Sequence, residues 1–553
     1  MKYPEIPLAQ SILQICKAKG LKNIIISPGS RNAPLTIGFS IDPFFNCYSI
    51  ADERCAAFFA LGIAQQNQQP TVLVCTSGSA LLNYYPAIAE AFYSQIPMIV
   101  ISADRPTSKI DIGDGQTIRQ RNVFENHSLF NANLADEASI ENDTLIQEAI
   151  HEAIIKKGPV HINAPFEEPL YNVLDEPTYL PNIIKVNENI KPEINLDLYQ
   201  AVFQNTKKKL VLIGVQNPNV LTEEIIQKLG NDPSVVVMTE ITSNVHHPNF
   251  VSNIDTLITT FTEEDFLNFQ PELLISLGGM VVSKRIKALL RKYKPKAHWH
   301  VDELRAYDTF QALTNEIVTT PQNFFESIYS NEVFVESDYN QNIQKVMQSR
   351  AIGHEKYLKE IPYSDFMVFD RIWKNLPTNI QLQISNSSAI RYAQLFKTPT
   401  EIDVFCNRGT SGIDGSTSTA IGAAVANNKP TVLVTGDISF LYDSNALWNN
   451  YIPTNFKIIL INNGGGGIFR ILPGHNETPV FNTFFETEHC LTAEHLAKMY
   501  RFDYETISNE NELNDKLKSF FENENKTILE IFTPTKINQD ILRAYFKAVT
   551  IVE

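Results

Sequence analysis

Short runs of aliphatic and β-branched residues recur along this chain, and glycine, proline or polar residues bound each of them. Such runs predict strands that are buried on both faces, as in parallel sheets covered by helices. Two runs near the C-terminal end, 431–435 and 457–461, are followed within two residues by Asp437 and Asn463. The 26 positions between these two residues match one strand–helix–strand crossover. The pattern therefore predicts that both side chains lie at the same edge of one sheet.

The same pattern of elements occurs twice, at an offset of 360 positions. The small-residue stretch 60–64 falls on 420–424, and the sequence Pro-Thr-Val-Leu-Val at 70–74 recurs unchanged at 430–434. A second apolar run follows in each copy. Several matches at one fixed offset predict two copies of one α/β domain near the two ends of the chain.

A third α/β region lies between the two copies, where four apolar runs alternate with helical stretches. No G-x-G-x-x-G motif follows its first run, so a bound dinucleotide is not indicated and a structural role is expected. Two polar segments, 177–194 and 331–362, are predicted linkers.

The composition is that of an ordinary globular protein, with 43% hydrophobic and 20% charged residues. At 553 residues the chain is too long for one core and should form about three domains. The net charge of −16 argues against partners such as nucleic acid or anionic membranes. None of the six cysteines forms a CxxC pair, and no stretch is long enough to span a bilayer. We therefore expect a cytoplasmic protein with reduced, mostly buried thiols.

The chemistry of Asp437 and Asn463 suggests a cation site. A carboxylate and an amide, followed by the flexible backbone of 464–467, offer the hard oxygen ligands that Mg²⁺ prefers. This spacing resembles the signature of thiamine-diphosphate enzymes, in which the metal ties the diphosphate to the protein. Either half alone is also a common turn. A second Gly-Asp pair, in 113–115, follows no apolar run, and we interpret it as a loop.

A thiamine-diphosphate enzyme needs more than its metal anchor, because the cofactor reacts through C2 of its thiazolium ring. A carboxyl group must face the aminopyrimidine, and an apolar residue must hold the cofactor bent. Glu53 and Ile413 are candidates for these roles, although Glu53 could simply favour a helix start and Ile413 could be a core contact. The offset pairs Ser77 with Asp437 and Glu53 with Ile413. Copies packed face to face would thus approach one bound molecule from opposite sides.

Over nearly its whole length the chain resembles the 2-succinyl-5-enolpyruvyl-6-hydroxy-3-cyclohexene-1-carboxylate synthases of menaquinone biosynthesis, a thiamine-diphosphate-dependent family. The most specific matches are Ser-Pro-Gly-Ser-Arg at 27–31 and Asn-Arg-Gly-Thr-Ser-Gly-Ile-Asp-Gly at 407–415. The other matching motifs lie at 52–54, 76–79, 102–106, 116–120, 283–285, 386–391, 436–437 and 462–469. One departure is Gly464, where members of the family often carry Asn or Asp.

The resemblance implies a three-domain α/β fold with duplicated parallel-sheet end domains and a central α/β domain. The implied domains are a pyrimidine-binding domain at 1–180, a central domain at 190–335 and a diphosphate- and metal-binding domain at 360–553. The implied transferase reaction decarboxylates 2-oxoglutarate and adds the succinic-semialdehyde carbanion to isochorismate in a 1,4-addition. Homodimers or homotetramers are expected, with each cofactor contacted by two chains.

The resemblance also implies the site residues, with Glu53 as the catalytic group. The cofactor is expected to contact Glu53, Ser387, Gly412, Ile413, Gly436, Asp437, Ile438, Ser439, Asn463 and Ile468. The metal, Mg²⁺ or Mn²⁺, is expected on Asp437, Asn463 and the Gly465 carbonyl. The substrates are expected to contact Ser30, Arg31, Arg105, Gln116, Lys284, Arg285, Ser387, Arg391 and Arg408, with Ile468 and Phe469 as an apolar wall.

Both implied substrates are dicarboxylates, for which arginine is the best-matched partner. Any one of these arginines alone could be an ordinary surface residue. Two alternatives stay open at this point. One is another 2-oxoacid lyase or synthase that resembles acetolactate synthase, and the other is a binding protein on the same scaffold without catalysis.

Overall fold

The computed structural model describes residues 2–184, 195–331, 333–471 and 477–550. The second half of the predicted 177–194 linker, and with it the predicted start of the central domain at 190, lies outside these residues. The first half is described, and it packs onto the N-terminal domain. The Gln10 side-chain oxygen accepts hydrogen bonds from the backbone N–H groups of Thr178 and Tyr179, at 2.8 and 2.9 Å.

The N-terminal domain is built on a six-stranded sheet with the order β3-β2-β4-β5-β7-β6, and a short antiparallel β1–β8 pair lies beside it. All pairings within the six-stranded sheet are parallel. The strands are β1 (Tyr3–Pro4), β2 (Asn23–Ile26), β3 (Asn46–Ser49), β4 (Thr71–Cys75), β5 (Met98–Asp104), β6 (Asn131–Asn133), β7 (Pro159–Pro165) and β8 (Val173–Leu174). The helices are α1 (Pro7–Ala18), α2 (Ala33–Ile41), α3 (Glu53–Asn67), α4 (Ala80–Asn83), α5 (Tyr85–Ser94) and α6 (Ile140–Ile155), with 3₁₀ turns at Thr107–Lys109 and Glu125–His127.

The central domain has a five-stranded parallel sheet with the order β10-β9-β11-β12-β13. The strands are β9 (Lys209–Ile213), β10 (Val235–Thr239), β11 (Leu273–Leu277), β12 (Ala297–Val301) and β13 (Asn315–Ile317). The helices are α7 (Asp197–Asn205), α8 (Glu223–Asn231), α9 (Ile254–Ile258), α10 (Glu263–Phe269), α11 (Lys284–Lys292) and α12 (Pro321–Ile328), with a 3₁₀ turn at Ile241–Ser243.

A long helix, α13 (Tyr339–Leu358), occupies most of the segment 331–362 that the sequence predicts as a linker. Tyr339 and Ile343 at its start pack into the core of the central domain, and Leu358 at its end packs into the core of the C-terminal domain. The segment is therefore an ordered helix that packs on the cores at both of its ends, and not a flexible linker. The helix has a polar composition because only a narrow stripe of its side chains is buried.

The C-terminal domain repeats the N-terminal topology, with a six-stranded parallel sheet in the order β15-β14-β16-β17-β19-β18. The strands are β14 (Gln381–Ile384), β15 (Asp403–Phe405), β16 (Thr431–Gly436), β17 (Phe456–Asn462), β18 (Asp503–Ile507) and β19 (Thr527–Phe532). The helices are α14 (Asp365–Asn375), α15 (Ser388–Ala393), α16 (Ser416–Ala426), α17 (Asp437–Tyr442), α18 (Ile468–Ile471), α19 (Pro479–Phe481), α20 (Glu494–Tyr500), α21 (Glu510–Glu522) and α22 (Asn538–Ala548), with a 3₁₀ turn at Ser444–Leu447 and a π turn at Asn482–Glu486. The predicted duplicated α/β architecture is confirmed.

The two copies pack against each other through α3 and α16, and the contact is reciprocal. A Cβ atom on Gly62 would lie 2.1 Å from the Thr419 carbonyl oxygen, and one on Gly422 would lie 2.0 Å from the Phe59 carbonyl oxygen. The offset of 360 positions relates Gly62 to Gly422 and Phe59 to Thr419. The two helices thus approach so closely that only glycine fits, and they do so about a pseudo-twofold axis.

No helix in the described part of the chain is both long enough and apolar enough to cross a membrane. The six cysteines are free thiols. Cys16, Cys55, Cys75 and Cys406 are buried, as expected, whereas Cys47 is half-buried and Cys490 is exposed.

Candidate active site

A pocket opens at the carboxyl edge of the C-terminal sheet, where β14, β16 and β17 end. Ligands of open parallel sheets bind at such edges. The empty space of the pocket amounts to about 690 Å³, part of which is open solvent at its mouth. Ten of the predicted residues line it, namely Ser387, Ile413, Gly436, Asp437, Ile438, Ser439, Asn463, Gly465, Ile468 and Phe469.

Asp437 lies at the start of α17, and backbone N–H groups fix its carboxylate. Ile438 donates to one oxygen at 2.7 Å, while Gly464 and Gly465 donate to the other at 2.9 and 3.0 Å. The segment after β17 can wrap around the carboxylate because Gly464 and Gly465 adopt positive φ angles of 78° and 156°. His489, which the sequence analysis did not identify, places its Nε2 atom 3.3 Å from the same carboxylate. That contact raises the pKa of His489.

Asn463 lies beside this carboxylate, as the strand pattern predicts. Its side-chain nitrogen donates to Asp365 at 3.0 Å, whereas its oxygen Oδ1 is buried without a hydrogen-bond partner in the described part of the chain. A buried acceptor without a partner costs roughly 1–3 kcal/mol. A cation at this point would satisfy it, and a carboxylate, an amide oxygen and the Gly465 carbonyl are hard donors suited to Mg²⁺. The residues present therefore fit a divalent metal.

The glycine-rich loop 407–415 forms the opposite wall of the pocket. Asn386 holds the loop by donating to the carbonyl oxygens of Asn407 and Gly412, both at 2.7 Å. Ser439 donates to the carbonyl oxygen of Ile413 at 2.7 Å, and the Ile413 side chain is half-buried at the pocket surface. Gly412 lies next to the pocket without lining it.

Ser387 has an unusual backbone conformation, with φ 72° and ψ −129°. A residue other than glycine held in such a sparsely populated region stores about 1–3 kcal/mol of strain, and such residues cluster at ligand sites. Ser387 lines the pocket immediately before α15, so this strain lies at the predicted cofactor site.

A buried ion pair supports the apolar wall formed by Ile468 and Phe469. Arg470 makes a two-pronged contact with Glu486, and both side chains are almost fully buried. The carbonyl oxygen of Glu486 also accepts a hydrogen bond from the Gly466 N–H at 2.6 Å. The pair thus fastens the 465–469 segment to the π turn.

Glu53 is the first residue of α3, where Asp52 caps the helix by accepting from the Cys55 N–H at 3.3 Å. Burial, and to a smaller degree the neighbouring Asp52 charge, raise the pKa of Glu53. A raised pKa suits a carboxyl group that must share a proton. Glu53 does not line the pocket of its own chain, however. The face-to-face packing of the copies within one chain therefore does not bring it to Asp437 in the way the repeat suggested.

Four predicted substrate residues group at the carboxyl edge of the N-terminal sheet: Ser30, Arg31, Arg105 and Gln116. Arg31 is buried, and it donates to the Phe166 carbonyl oxygen and to Glu168, both at 3.0 Å. Arg105 donates to the Gly115 carbonyl oxygen at 2.8 Å. Both arginines thus have local partners in a single chain.

A second cationic group lies where the central domain meets the C-terminal domain: Lys284, Arg285, Arg391 and Arg408. Arg285 lies 3.9 Å from Asp255, and Arg408 donates to Asn386 at 2.6 Å. Burial and the charge of Arg408 lower the pKa of Arg391. Arg285 and Arg391 both interact with Asp255, and Arg408 interacts with Arg391, so the structure brings the three arginines together, with Lys284 next to Arg285 in the chain.

Two domain models of thiamine pyrophosphate enzymes match this chain, the N-terminal TPP binding domain over 6–131 and the C-terminal TPP binding domain over 386–531. A 2-succinyl-5-enolpyruvyl-6-hydroxy-3-cyclohexene-1-carboxylate synthase from Flavobacterium psychrophilum is 64% identical over 550 residues and covers 100% of both chains. Relatives of the same name from Christiangramia forsetii and Bacteroides thetaiotaomicron are 49% and 36% identical, covering 99% and 97% of each chain. The chain belongs to this synthase family. It is a thiamine-diphosphate-dependent enzyme.

Sequence reasoning missed several residues that line the pocket of this synthase, among them Asp365, Phe369 and Tyr392. The Tyr392 hydroxyl is buried and has no hydrogen-bond partner within the described residues. Asp365 starts α14, far in sequence from both Asp437 and Asn463, and a carboxylate at a helix start has an ordinary explanation in the helix dipole. Only the fold shows that it reaches Asn463.

Proposed function

We propose that this synthase decarboxylates 2-oxoglutarate and transfers the resulting four-carbon unit to isochorismate. The products would be CO₂ and 2-succinyl-5-enolpyruvyl-6-hydroxy-3-cyclohexene-1-carboxylate, in menaquinone biosynthesis. The observation that carries the proposal is the pocket itself, where Asp437, Asn463 and Ile413 converge at one sheet edge. Relatives of that printed name, aligned over the whole chain, support the choice of substrates.

We assign the metal and the diphosphate to the C-terminal domain. Asp437, Asn463 and the Gly465 carbonyl would hold Mg²⁺ or Mn²⁺, and the metal would neutralise the charge of the diphosphate. Gly436, Ile438, Ser439, Ser387 and Gly412 would contact the cofactor, and Ile413 and Ile468 would pack against its rings. Bound thiamine diphosphate supplies the electron sink for the negative charge that remains when CO₂ leaves.

Glu53 would hold a proton against the aminopyrimidine nitrogen of the cofactor. Since Glu53 does not line the pocket of its own chain, we propose that it reaches the pocket of a second copy in a homodimer, or in a homotetramer built from such dimers. The active site would then be incomplete in a monomer. We expect the enzyme to act in the cytoplasm.

The two cationic groups would bind the carboxylates of the two substrates. Arg31 and Arg105 would come from one copy, with Ser30 and Gln116 beside them, while Lys284, Arg285, Arg391 and Arg408 would come from the other. Phe469 would close the apolar side. Guanidinium groups match carboxylates with paired hydrogen bonds, so a site for two dicarboxylates benefits from several of them.

Product detection tests the proposed reaction directly. The purified protein is incubated with 2-oxoglutarate and isochorismate, and the product is identified by mass spectrometry, with and without thiamine diphosphate and Mg²⁺. We expect product only when both are present. Decarboxylation of pyruvate in preference to 2-oxoglutarate would contradict the proposal and indicate an acetolactate-synthase-like enzyme instead.

A further inference from the structure

The side-chain amide of Asn463 can adopt either of two orientations in the pocket, and the residue alone does not determine which. One end of the side chain is a donor and the other an acceptor, and only the oxygen end can bind a cation. Among the described residues, the oxygen is the end without a hydrogen-bond partner, and the nitrogen donates to Asp365 Oδ2 at 3.0 Å.

We infer that Asp365 is a positioning residue, which fixes the Asn463 amide so that its oxygen faces the metal. Asp365 Oδ2 accepts the hydrogen bond from the NH₂ end of the amide, and this leaves the oxygen end to the pocket. Groups that orient a metal ligand in this way typically change metal affinity 10- to 100-fold when they are removed. The inference rests on the proposed metal site, of which Asp365 would be the outer support.

Asp365 is itself held firmly enough to act as a reference point. It is 3% exposed, and its other oxygen accepts a hydrogen bond from the Thr533 hydroxyl. Its backbone N–H donates to the Asn538 side chain at 2.9 Å. It is also the first residue of the 11-residue helix α14, which Ser364 caps. The carboxylate is therefore anchored to α14, to the end of β19 and to α22, and its position does not depend on Asn463.

The arrangement gives each metal ligand its own means of orientation. Backbone N–H groups of 438, 464 and 465 hold the Asp437 carboxylate. Within the described part of the chain, the Asn463 side chain donates its hydrogen bond to Asp365, and its oxygen accepts none from the glycine segment. Asp365 therefore fixes the orientation of the Asn463 amide.

The test is the Mg²⁺ requirement of cofactor binding, measured by titration calorimetry with thiamine diphosphate at a series of Mg²⁺ concentrations. For Asp365→Ala we expect the half-saturating Mg²⁺ concentration to rise at least about 10-fold. The matched control is Asp370→Ala, on the same helix and equally buried, which pairs with Arg371 and Lys374 away from the pocket. It should leave the requirement unchanged. An unchanged requirement in a folded Asp365→Ala protein would overturn the inference.

The variant Thr533→Val distinguishes a loss of Asn463 orientation from a general loss of stability. It removes the other partner of Asp365 but leaves the contact with Asn463, so the protein should lose stability while keeping its Mg²⁺ requirement. An equal rise in Thr533→Val and Asp365→Ala would overturn the inference. If Asp365→Ala does not fold, Asp365→Leu decides, because it keeps the size of the side chain but offers Asn463 no acceptor. We then expect the same rise of about 10-fold or more, and no change would overturn the inference.

The wild-type protein distinguishes a failure of this inference from a failure of the metal site. Cofactor binding that does not depend on Mg²⁺ in the wild type would remove the proposed metal site, and the inference with it. A Mg²⁺ requirement in the wild type that Asp365→Ala leaves unchanged would remove the inference alone.

Discussion

In the C-terminal domain, the edge where β16 and β17 end is an open pocket, whereas in the N-terminal domain the edge where β4 and β5 end is closed by the segment 116–120. Gln120 closes it, accepting from the Gly78 N–H at 2.8 Å and donating to Asn163 at 2.9 Å. Asp104 and Ser102 join the same buried network through Asn163.

The comparison shows how one fold can serve two tasks. At the position equivalent to Asp437, the N-terminal copy has Ser77, which offers no carboxylate. Both edges hold buried polar atoms without a hydrogen-bond partner among the described residues, namely Ser77 Oγ and Arg31 Nε in the N-terminal copy and Asn463 Oδ1 in the C-terminal copy. The difference is chemical, because the C-terminal acceptor lies beside the Asp437 carboxylate and so offers a cation two oxygen ligands. In our proposal one copy holds the metal and diphosphate, and the other supplies Glu53 and the substrate residues Arg31 and Arg105.

The largest effect on the reaction rate is expected from Glu53→Gln. This variant tests whether the N-terminal copy takes part in the chemistry. The amide keeps the size of the side chain but cannot share its proton with the cofactor. Loss of a positioned acid–base group costs about 10²–10⁴ in rate, while cofactor affinity should change little. The measurement is hydrogen exchange at C2 of the bound cofactor, followed by NMR.

The control for this variant is Glu141→Gln, which changes another glutamate in the first turn of a helix, α6, but on the exposed surface. It should exchange the C2 proton at the wild-type rate. Normal exchange in Glu53→Gln itself would contradict the assigned role.

The next largest effect is expected from a comparison of the two sheet edges, in which the equivalent positions 437 and 77 are each changed to alanine. Asp437→Ala removes a charged ligand, and a charge-assisted contact is worth roughly 1.5–3 kcal/mol. Thiamine-diphosphate affinity at limiting Mg²⁺ should therefore fall about 10-fold or more. Ser77→Ala, the matched change in the other copy, should leave the affinity near that of the wild type. Equal affinities in the two variants would remove the distinction between the edges.

A smaller effect is expected at the crossing of α3 and α16, which joins the copies. Gly422→Ala places a Cβ atom 2.0 Å from a backbone carbonyl oxygen, so the helices must separate. Overpacking of this kind typically costs about 1–3 kcal/mol. Gly62→Ala should cost a similar amount, because the contact is reciprocal. Chemical denaturation measures both.

Gly115→Ala is the control for these two variants, since a Cβ atom there meets nothing within 4 Å. It should unfold at the wild-type denaturant concentration. A wild-type unfolding midpoint for Gly422→Ala would show that the crossing is looser than the structure indicates.

Sequence patterns predict those parts of the fold that depend on local periodicity and repetition. The buried strands β16 and β17, and therefore the pairing of Asp437 with Asn463, follow from runs of β-branched residues and one crossover length. The repeat likewise anticipates the shared sheet order. The pattern does not predict the helix α13, because its few buried positions do not distinguish its sequence from that of a polar linker.

The rest of the site depends on contacts between distant segments. Asp365 and Asn463 are 98 positions apart, and nothing in either local sequence indicates that they touch. His489 reaches Asp437 across 52 positions, from a stretch without strand or helix periodicity. The grouping of Lys284 with Arg391 and Arg408 follows from the docking of the central domain, which local patterns do not encode.

The central claim is that each active site combines the N-terminal edge of one chain with the C-terminal edge of another. Co-expression of Glu53→Gln and Asp437→Ala chains, carrying different affinity tags, tests it most directly. In a mixed dimer one site would carry both defects and the other would be intact, so random assembly should restore about a quarter of the wild-type activity.

The doubly tagged fraction, isolated by both tags, should contain this restored activity, while each variant alone stays near its own low level. Product formation from 2-oxoglutarate and isochorismate provides the readout. A mixed dimer no more active than its parents would contradict the account, because it would place Glu53 and Asp437 of each site in the same chain.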